Sequence, residues 1–477
     1  MPDNNVSSVR LLLLAFVIWK ALLLCIACAS PGPGYDTSTQ LLLASGTSQT
    51  EASSIKLLGH IASRLVRWDA LYFVRVAQRG HVFEQEWAWG FGWTKSIHLG
   101  AKVLSSLVRH PLLVEALAGI LISHACHLLS VLLLFQLAKS IVPTKSPQRD
   151  DIAFVAAMLH IVSPAGVFLS APYSESLFAC LTFLGMLCYA HVYHGSSGMV
   201  RRCISVLASG VCWGLASTVR GNGLLNGLIL LSHALGLLGS LRSLEVCQEL
   251  LATLVAGLTV ALGNALPQWI GYQQFCPQDS TVQIPIWCSR IPPSIYTYVQ
   301  AHYWNNGFLR YWTLSNIPLF ALAIPMLALL STTALIAVFQ PILLLSIAKK
   351  VDKPSTPKLA EDLHDADRLR YVRCMRLFAL PQAALALLAL FNFHVQIINR
   401  LSSAYPVWYL VLAIAITTND APIAAIPSPG INRTINQMTT TLVAYGKKRS
   451  VQRVVVSSMV IYAIVQDGLY ASFMPPA

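Results

Sequence analysis

Residues 112–138 read LLVEALAGILISHACHLLSVLLLFQLA, with one carboxylate, Glu115, near the start and no lysine or arginine. As a helix rising 1.5 Å per residue, this run exceeds the roughly 30 Å hydrocarbon core of a bilayer. Comparable runs lie on both sides of it, at 11–29, 152–170, 175–194, 204–219, 224–241, 250–270, 317–347, 377–393, 405–418 and 454–472. The last two are the weakest, one being short and the other containing Asp467. Hydrophobic residues make up 55% of the chain and charged residues 11%, and mean hydropathy is +0.60. Soluble domains carry about 25% charge. The expected fold is therefore an all-α multi-pass membrane protein with about 10–11 transmembrane helices, forming one integral unit over 1–477. Pro164 and Pro325 should kink or break their helices.

The net charge of +13 does not point to nucleic acid, because the basic residues sit in short clusters between apolar runs. Lys139, Lys145 and Arg149, then Arg201 and Arg202, then Arg242, the run from Lys349 to Arg376, and Lys447, Lys448 and Arg449 alternate with the spans as cytoplasmic loops do. Residues 348–376 and 419–453 are then cytosolic. Residues 30–110 and 271–316 become the two large lumenal loops, the first carrying amphipathic helix over 61–79. Residues 11–29 could be a signal peptide ending at Ala27-Cys28-Ala29-Ser30, but their length favours a retained anchor, with Lys20 unexplained inside it.

This orientation places five unusual stretches on one face. They are Arg67-Trp68-Asp69-Ala70, Tyr173-Ser174-Glu175-Ser176, Arg220-Gly221-Asn222-Gly223, the aromatic-rich 296–312, and His394 to Arg400, which includes Gln396. Asp69 could act as a general base or merely cap the helix that follows. Glu84 and Glu86, among Phe83, Trp87, Trp89, Phe91 and Trp93, suit carbohydrate or form an interfacial aromatic belt. Glu175 at the lipid boundary is a functional candidate or part of a helix start. Arg220 could hold a phosphate or snorkel. His394 and Arg400 offer the same choice. Cys276 and Cys288 share a lumenal loop, where an oxidising compartment permits a disulfide. The 11 cysteines show no zinc-like spacing, and no carboxylate cluster demands a metal.

At these residues the sequence resembles the GPI mannosyltransferase 2 family, the second mannosyltransferase of glycosylphosphatidylinositol (GPI) anchor assembly, in a fungal-type form. The matching stretches are Arg67-Trp68-Asp69-Ala70 with Gly80 and Glu84, Ser163-Pro164-Ala165, and Tyr173-Ser174-Glu175-Ser176-Leu177-Phe178. They continue with Val219-Arg220-Gly221-Asn222-Gly223, Phe275-Cys276 to Trp287-Cys288, Tyr303-Trp304-Asn305-Asn306-Gly307-Phe308-Leu309, and His394-Val395-Gln396 with Arg400. They run in family order over about residues 60–410. Gly221 stands where the family often has serine, and Trp89-Gly90-Phe91-Gly92-Trp93 replaces a Pro-Gly-Phe-Pro-like stretch.

The resemblance implies a GT-C-type glycosyltransferase fold in the endoplasmic reticulum membrane with a lumenal active site. It implies dolichyl phosphate mannose as donor, a mono-mannosylated GPI precursor as acceptor and an α-1,6 product, without a cofactor. It also implies a small accessory membrane subunit. Asp69 is then the catalytic base, with Arg67, Trp68, Glu84, Glu86, Glu175, Arg220, Asn222, His394, Gln396 and Arg400 as substrate-binding candidates. The competing classes are a lipid or sugar transporter or scramblase, and a non-catalytic subunit of a glycosylation complex. Against transport, no internal repeat is visible and the polar residues gather at one interface.

Overall fold

A computed structural model gives the architecture and describes residues 4–32, 36–39, 53–106, 108, 110, 112–144, 146–193, 198–239, 243–276, 284–342, 344, 365–418, 433–446 and 448–474. Much of the 348–376 loop and the first part of 419–453 fall outside these residues.

The apolar runs fold as helices. In chain order they are α1 (Asn4–Ala29), α2 (Ser53–Leu65), α3 (Asp69–Arg79), α4 (Phe91–Leu104), α5 (Leu113–Ile141), α6 (Arg149–Ile161), α7 (Glu175–Ala190), α8 (Met199–Val219) and α9 (Gly227–Leu238). They continue as α10 (Leu244–Phe275), α11 (Ile295–His302), α12 (Ile317–Phe339), α13 (Asp365–Phe391), α14 (Ile398–Leu401), α15 (Pro406–Thr417), α16 (Arg433–Gly446) and α17 (Arg449–Ala471). Among the described residues, nine helices are long and apolar enough to cross a membrane. A tenth crossing is formed if Val395–Ala404 and Pro406–Thr417, bent by 76°, count as one.

The expected 152–170 span is different. Its helix, α6, stops at Ile161, just before Ser163-Pro164, where proline removes a backbone donor. A 3-10 turn at Gly166–Leu169 follows, and every residue from 163 to 176 is buried. Irregular backbone at membrane depth is tolerated only where protein surrounds it. Here side chains from three helices meet its carbonyls: Lys20 of α1 donates to Leu169 O (2.9 Å), Ser123 of α5 to Ala171 O (2.8 Å), and Trp93 of α4 to Pro172 O (3.1 Å). At Pro325, by contrast, α12 continues through the proline without a break.

Small residues let helices approach closely. A Cβ on Gly263 of α10 would sit 2.0 Å from Gly214 O of α8, so these two helices touch through their backbones. This contact fixes α8, whose end delivers Arg220. In α5, Gly119 lies against Pro172, and Lys139 lies about 30 Å further along the same helix. Lys139 pairs with Asp150 (2.9 Å), so the basic α5–α6 turn and the Pro172 region occupy opposite ends of the bundle.

Candidate active site

Asp69 is the first residue of α3, an amphipathic helix that buries Ala70, Phe73, Val74, Val76 and Ala77. Trp68 before it has φ 53° and ψ −128°, a left-handed conformation that costs energy for a bulky side chain and needs outside support. That support comes from the far end of the chain. Trp68 Nε1 donates to Met474 O (3.1 Å), and its ring packs 5.5 Å from that of Phe473. The Tyr470 hydroxyl donates to Arg67 O (3.0 Å) and accepts from Arg67 N (3.2 Å), while the Arg67 guanidinium lies over the Phe473 ring. Arg67 is 1% exposed. Arg67 and Trp68 thus brace the start of α3 and do not line the cavity beside Asp69.

That cavity, of about 340 Å³, collects the separated motifs. Asp69, Ser174, Arg220, Asn222, His394 and Arg400 all line it. Arg400 donates to Asp69 Oδ2 from Nη1 (3.3 Å) and Nη2 (3.4 Å), and its Nε lies 3.5 Å from Glu175 Oε1. Arg220 Nη1 lies 2.6 Å from the same Glu175 oxygen and donates to Ser174 Oγ (2.9 Å). Charges therefore alternate along Asp69, Arg400, Glu175 and Arg220. Glu175 is 1% exposed and sits beneath both arginines, outside the cavity lining, so its role here is to orient them. The Asp69 side chain keeps 30% exposure. Loss of surrounding water raises its carboxyl above the ordinary aspartate value, and Arg400 opposes the rise.

Asn222 Nδ2 donates to the Tyr405 hydroxyl (3.1 Å), and His394 Nε2 contacts Trp304 O (2.9 Å). Gln396 accepts from the Tyr311 hydroxyl (3.0 Å) and stands behind the wall. Glu84 and Glu86 are not brought to the cavity. Glu86 is 2% exposed, pairs with Arg79 and accepts from Val82 N (2.7 Å) and Phe83 N (3.1 Å), closing the turn that starts at Phe83. Glu84 accepts from Trp287 Nε1 (2.8 Å) and joins the two large loops. Cys276 and Cys288 form a disulfide with Cα atoms 5.7 Å apart, beside a small apolar cluster of Trp87, Trp287, Ile295 and Val299. The cluster seats α11.

Six further wall residues, Trp89, Tyr173, Tyr296, Gln300, Trp304 and Asn306, fall within the stretches singled out in the sequence without being individual substrate-binding candidates there. Trp89 and Trp304 lie 5.0 Å apart and give the cavity an aromatic flank. The four-residue spacing of Tyr296 and Gln300, on one face of α11, was a further signal, with Trp304 just beyond the end of that helix. The Trp89-Gly90-Phe91-Gly92 stretch also gains its reason: a Cβ on Gly90 would fall 1.7 Å from Val219 O, and one on Gly92 2.1 Å from Thr218 Oγ1. The two glycines let this loop rest directly on the end of α8 next to Arg220.

A cavity with one charged wall and one aromatic wall fits a sugar carried on a phosphate. Proteins of similar sequence are named as mannosyltransferases. The family described as Mannosyltransferase (PIG-V) matches residues 9–477. GPI mannosyltransferase 2 of Aspergillus oryzae is 35% identical over 488 aligned residues, covering 100% of this chain and 97% of that protein. GPI mannosyltransferase 2 of Gibberella zeae is 37% identical, covering 97% and 96%. The rat GPI alpha-1,6-mannosyltransferase 2 is 33% identical, covering 74% and 73%. Among solved structures, the archaeal oligosaccharyltransferase AglB of Archaeoglobus fulgidus is similar at 15% identity and a TM-score of 0.42, covering 96% of this chain and 56% of that one. That likeness is slight, and the helical membrane architecture stands on the helices themselves. On the full-length match and the identity to curated relatives, the chain belongs to the PIG-V mannosyltransferase family.

Proposed function

We infer that the chain is a mannosyltransferase of GPI-anchor biosynthesis that uses dolichyl phosphate mannose, attaching the second mannose in α-1,6 linkage to a mono-mannosylated precursor. The observation that carries the reading is the Asp69–Arg400–Glu175–Arg220 chain along a cavity flanked by Trp89 and Trp304. Asp69 takes the proton of the acceptor 6-hydroxyl. The freed oxygen attacks the anomeric carbon from the face opposite the phosphate, a new C–O bond forms, the bond to phosphate breaks, and β becomes α. Dolichyl phosphate leaves with the electron pair. Arg400 and Arg220 neutralise it, so the protein supplies positioning and charge rather than a covalent intermediate.

In this reading two guanidiniums supply the positive charge and no metal takes part. The site faces the lumen of the endoplasmic reticulum, which the alternation of basic loops supports. A small accessory membrane subunit rests on the family resemblance. The transporter reading is not favoured, because the relatives are named as transferases. Mass spectrometry of GPI precursors after depletion tests the assignment. Accumulation of the mono-mannosylated lipid is expected, and accumulation of a precursor already carrying two mannoses would reject it.

A further inference from the structure

We propose that Lys20, deep in α1, is a positioning residue of this active site. An ionisable side chain inside a membrane span is costly and needs a reason. Lys20 is 7% exposed, and its ammonium donates to Leu169 O (2.9 Å) and Ser170 Oγ (2.7 Å). These acceptors belong to the 163–174 segment, whose backbone is held by a single 3-10 turn and a few local hydrogen bonds rather than by a regular α-helix. Leu169 O also accepts from Ser176 Oγ (3.2 Å), so Lys20 and the residue after Glu175 grip one carbonyl. Between these grips run Tyr173 and Ser174, both on the cavity wall, and Glu175, which orients Arg220 and Arg400. Asp467 of α17, 1% exposed, interacts electrostatically with Lys20 without forming a salt bridge to it.

The chain of action is therefore Lys20 to the 169–170 backbone, to Glu175, to the two arginines. Among the described residues, the hydrogen bonds of Lys20 go to Leu169 and Ser170, neither of which lines the cavity. Loss of the ammonium leaves Leu169 O with only Ser176 and lets the segment shift, carrying Glu175 with it. A displacement of the order of 1 Å at a catalytic group can cost up to about a hundredfold in turnover.

The proposal rests on the mannosyltransferase reading. Its test is mannose transfer from dolichyl phosphate mannose in membranes holding matched amounts of full-length protein, with Asp69→Asn as reference. Lys20→Met keeps an unbranched side chain only one heavy atom shorter and suits the membrane. It should lower kcat about ten- to a hundredfold and raise the KM for the donor, because the shifted segment carries Tyr173, Ser174 and Glu175, and with Glu175 the two arginines that meet the donor phosphate. Lys20→Gln, which can still donate to Leu169 O, should recover much of the loss. A purely architectural lysine would lower abundance or thermal stability while leaving kcat per folded molecule intact. Wild-type kcat in Lys20→Met, or no recovery in Lys20→Gln, overturns the proposal. If Lys20→Met does not accumulate, Ser170→Ala decides: it removes one of the two acceptors, so a reduced kcat supports the proposal and an unchanged kcat overturns it. A silent Asp69→Asn would instead reject the underlying reading, whatever Lys20 does.

Discussion

Arg400 holds both of its terminal nitrogens within 3.4 Å of one oxygen of Asp69, leaving the other oxygen of that carboxylate free of the pair. A carboxylate tethered in this way is oriented and remains able to accept a proton, as the proposed role requires. Asp69→Asn keeps the shape and removes the basicity. Mannose transfer should fall by about 10²–10⁴-fold, with normal membrane insertion. Near-normal transfer would remove Asp69 from the role of base.

Glu175 and Arg220 should separate kinetically. Glu175→Gln removes the anion that both arginines share, so the donor phosphate meets loosened cations and KM for the donor rises more than kcat falls. Arg220→Lys keeps the charge and loses the planar fork, giving an intermediate defect. Steady-state kinetics with varied donor checks both. An unchanged KM in Glu175→Gln would contradict an orienting role.

Gly90→Ala adds one methyl where Val219 O already stands 1.7 Å away from the new carbon. The backbone carbonyl cannot yield as a flexible side chain would, so the loop must lift from the end of α8. Transfer should drop, and thermal stability should fall by about 1–3 kcal/mol. Gly59→Ala, at a position open on all sides, is the control and should behave as wild type. Equal behaviour of the two variants would count against the close approach.

The acid limb of the pH profile should reflect Asp69. Its carboxyl is raised above the ordinary 3.8, with burial the largest cause and Arg400 opposing. A base works only when ionised, so kcat/KM should decline as pH falls through a value higher than 3.8. The limb should vanish from the residual activity of Asp69→Asn. A limb unchanged in that variant would belong to another group.

Hydropathy made most spans legible because lipid exposure demands long apolar runs whatever the fold. It failed at 152–170, since backbone buried in protein has the same apolar composition as a helix buried in lipid, and only Pro164 hinted at the difference. Asp69, Arg220, Asn222, His394 and Arg400 were visible as polar residues at membrane boundaries, and they do share one cavity. Arg67, Trp68, Glu84 and Glu86 lie in the same motifs yet point into scaffold, because a motif gives residue types and not side-chain directions. Tyr470 and Phe473 gave no sequence signal at all, as their partners are about four hundred positions away.

That separation sets the timing of biosynthesis. The strained Trp68 next to Asp69 is made about four hundred residues before Tyr470, Phe473 and Met474, which hold it. Gly166, in the segment behind Glu175, likewise packs on Ala463 of the final helix. A nascent chain therefore carries Trp68 without its brace until α17 has been made, and the start of α3 locks only after that helix arrives.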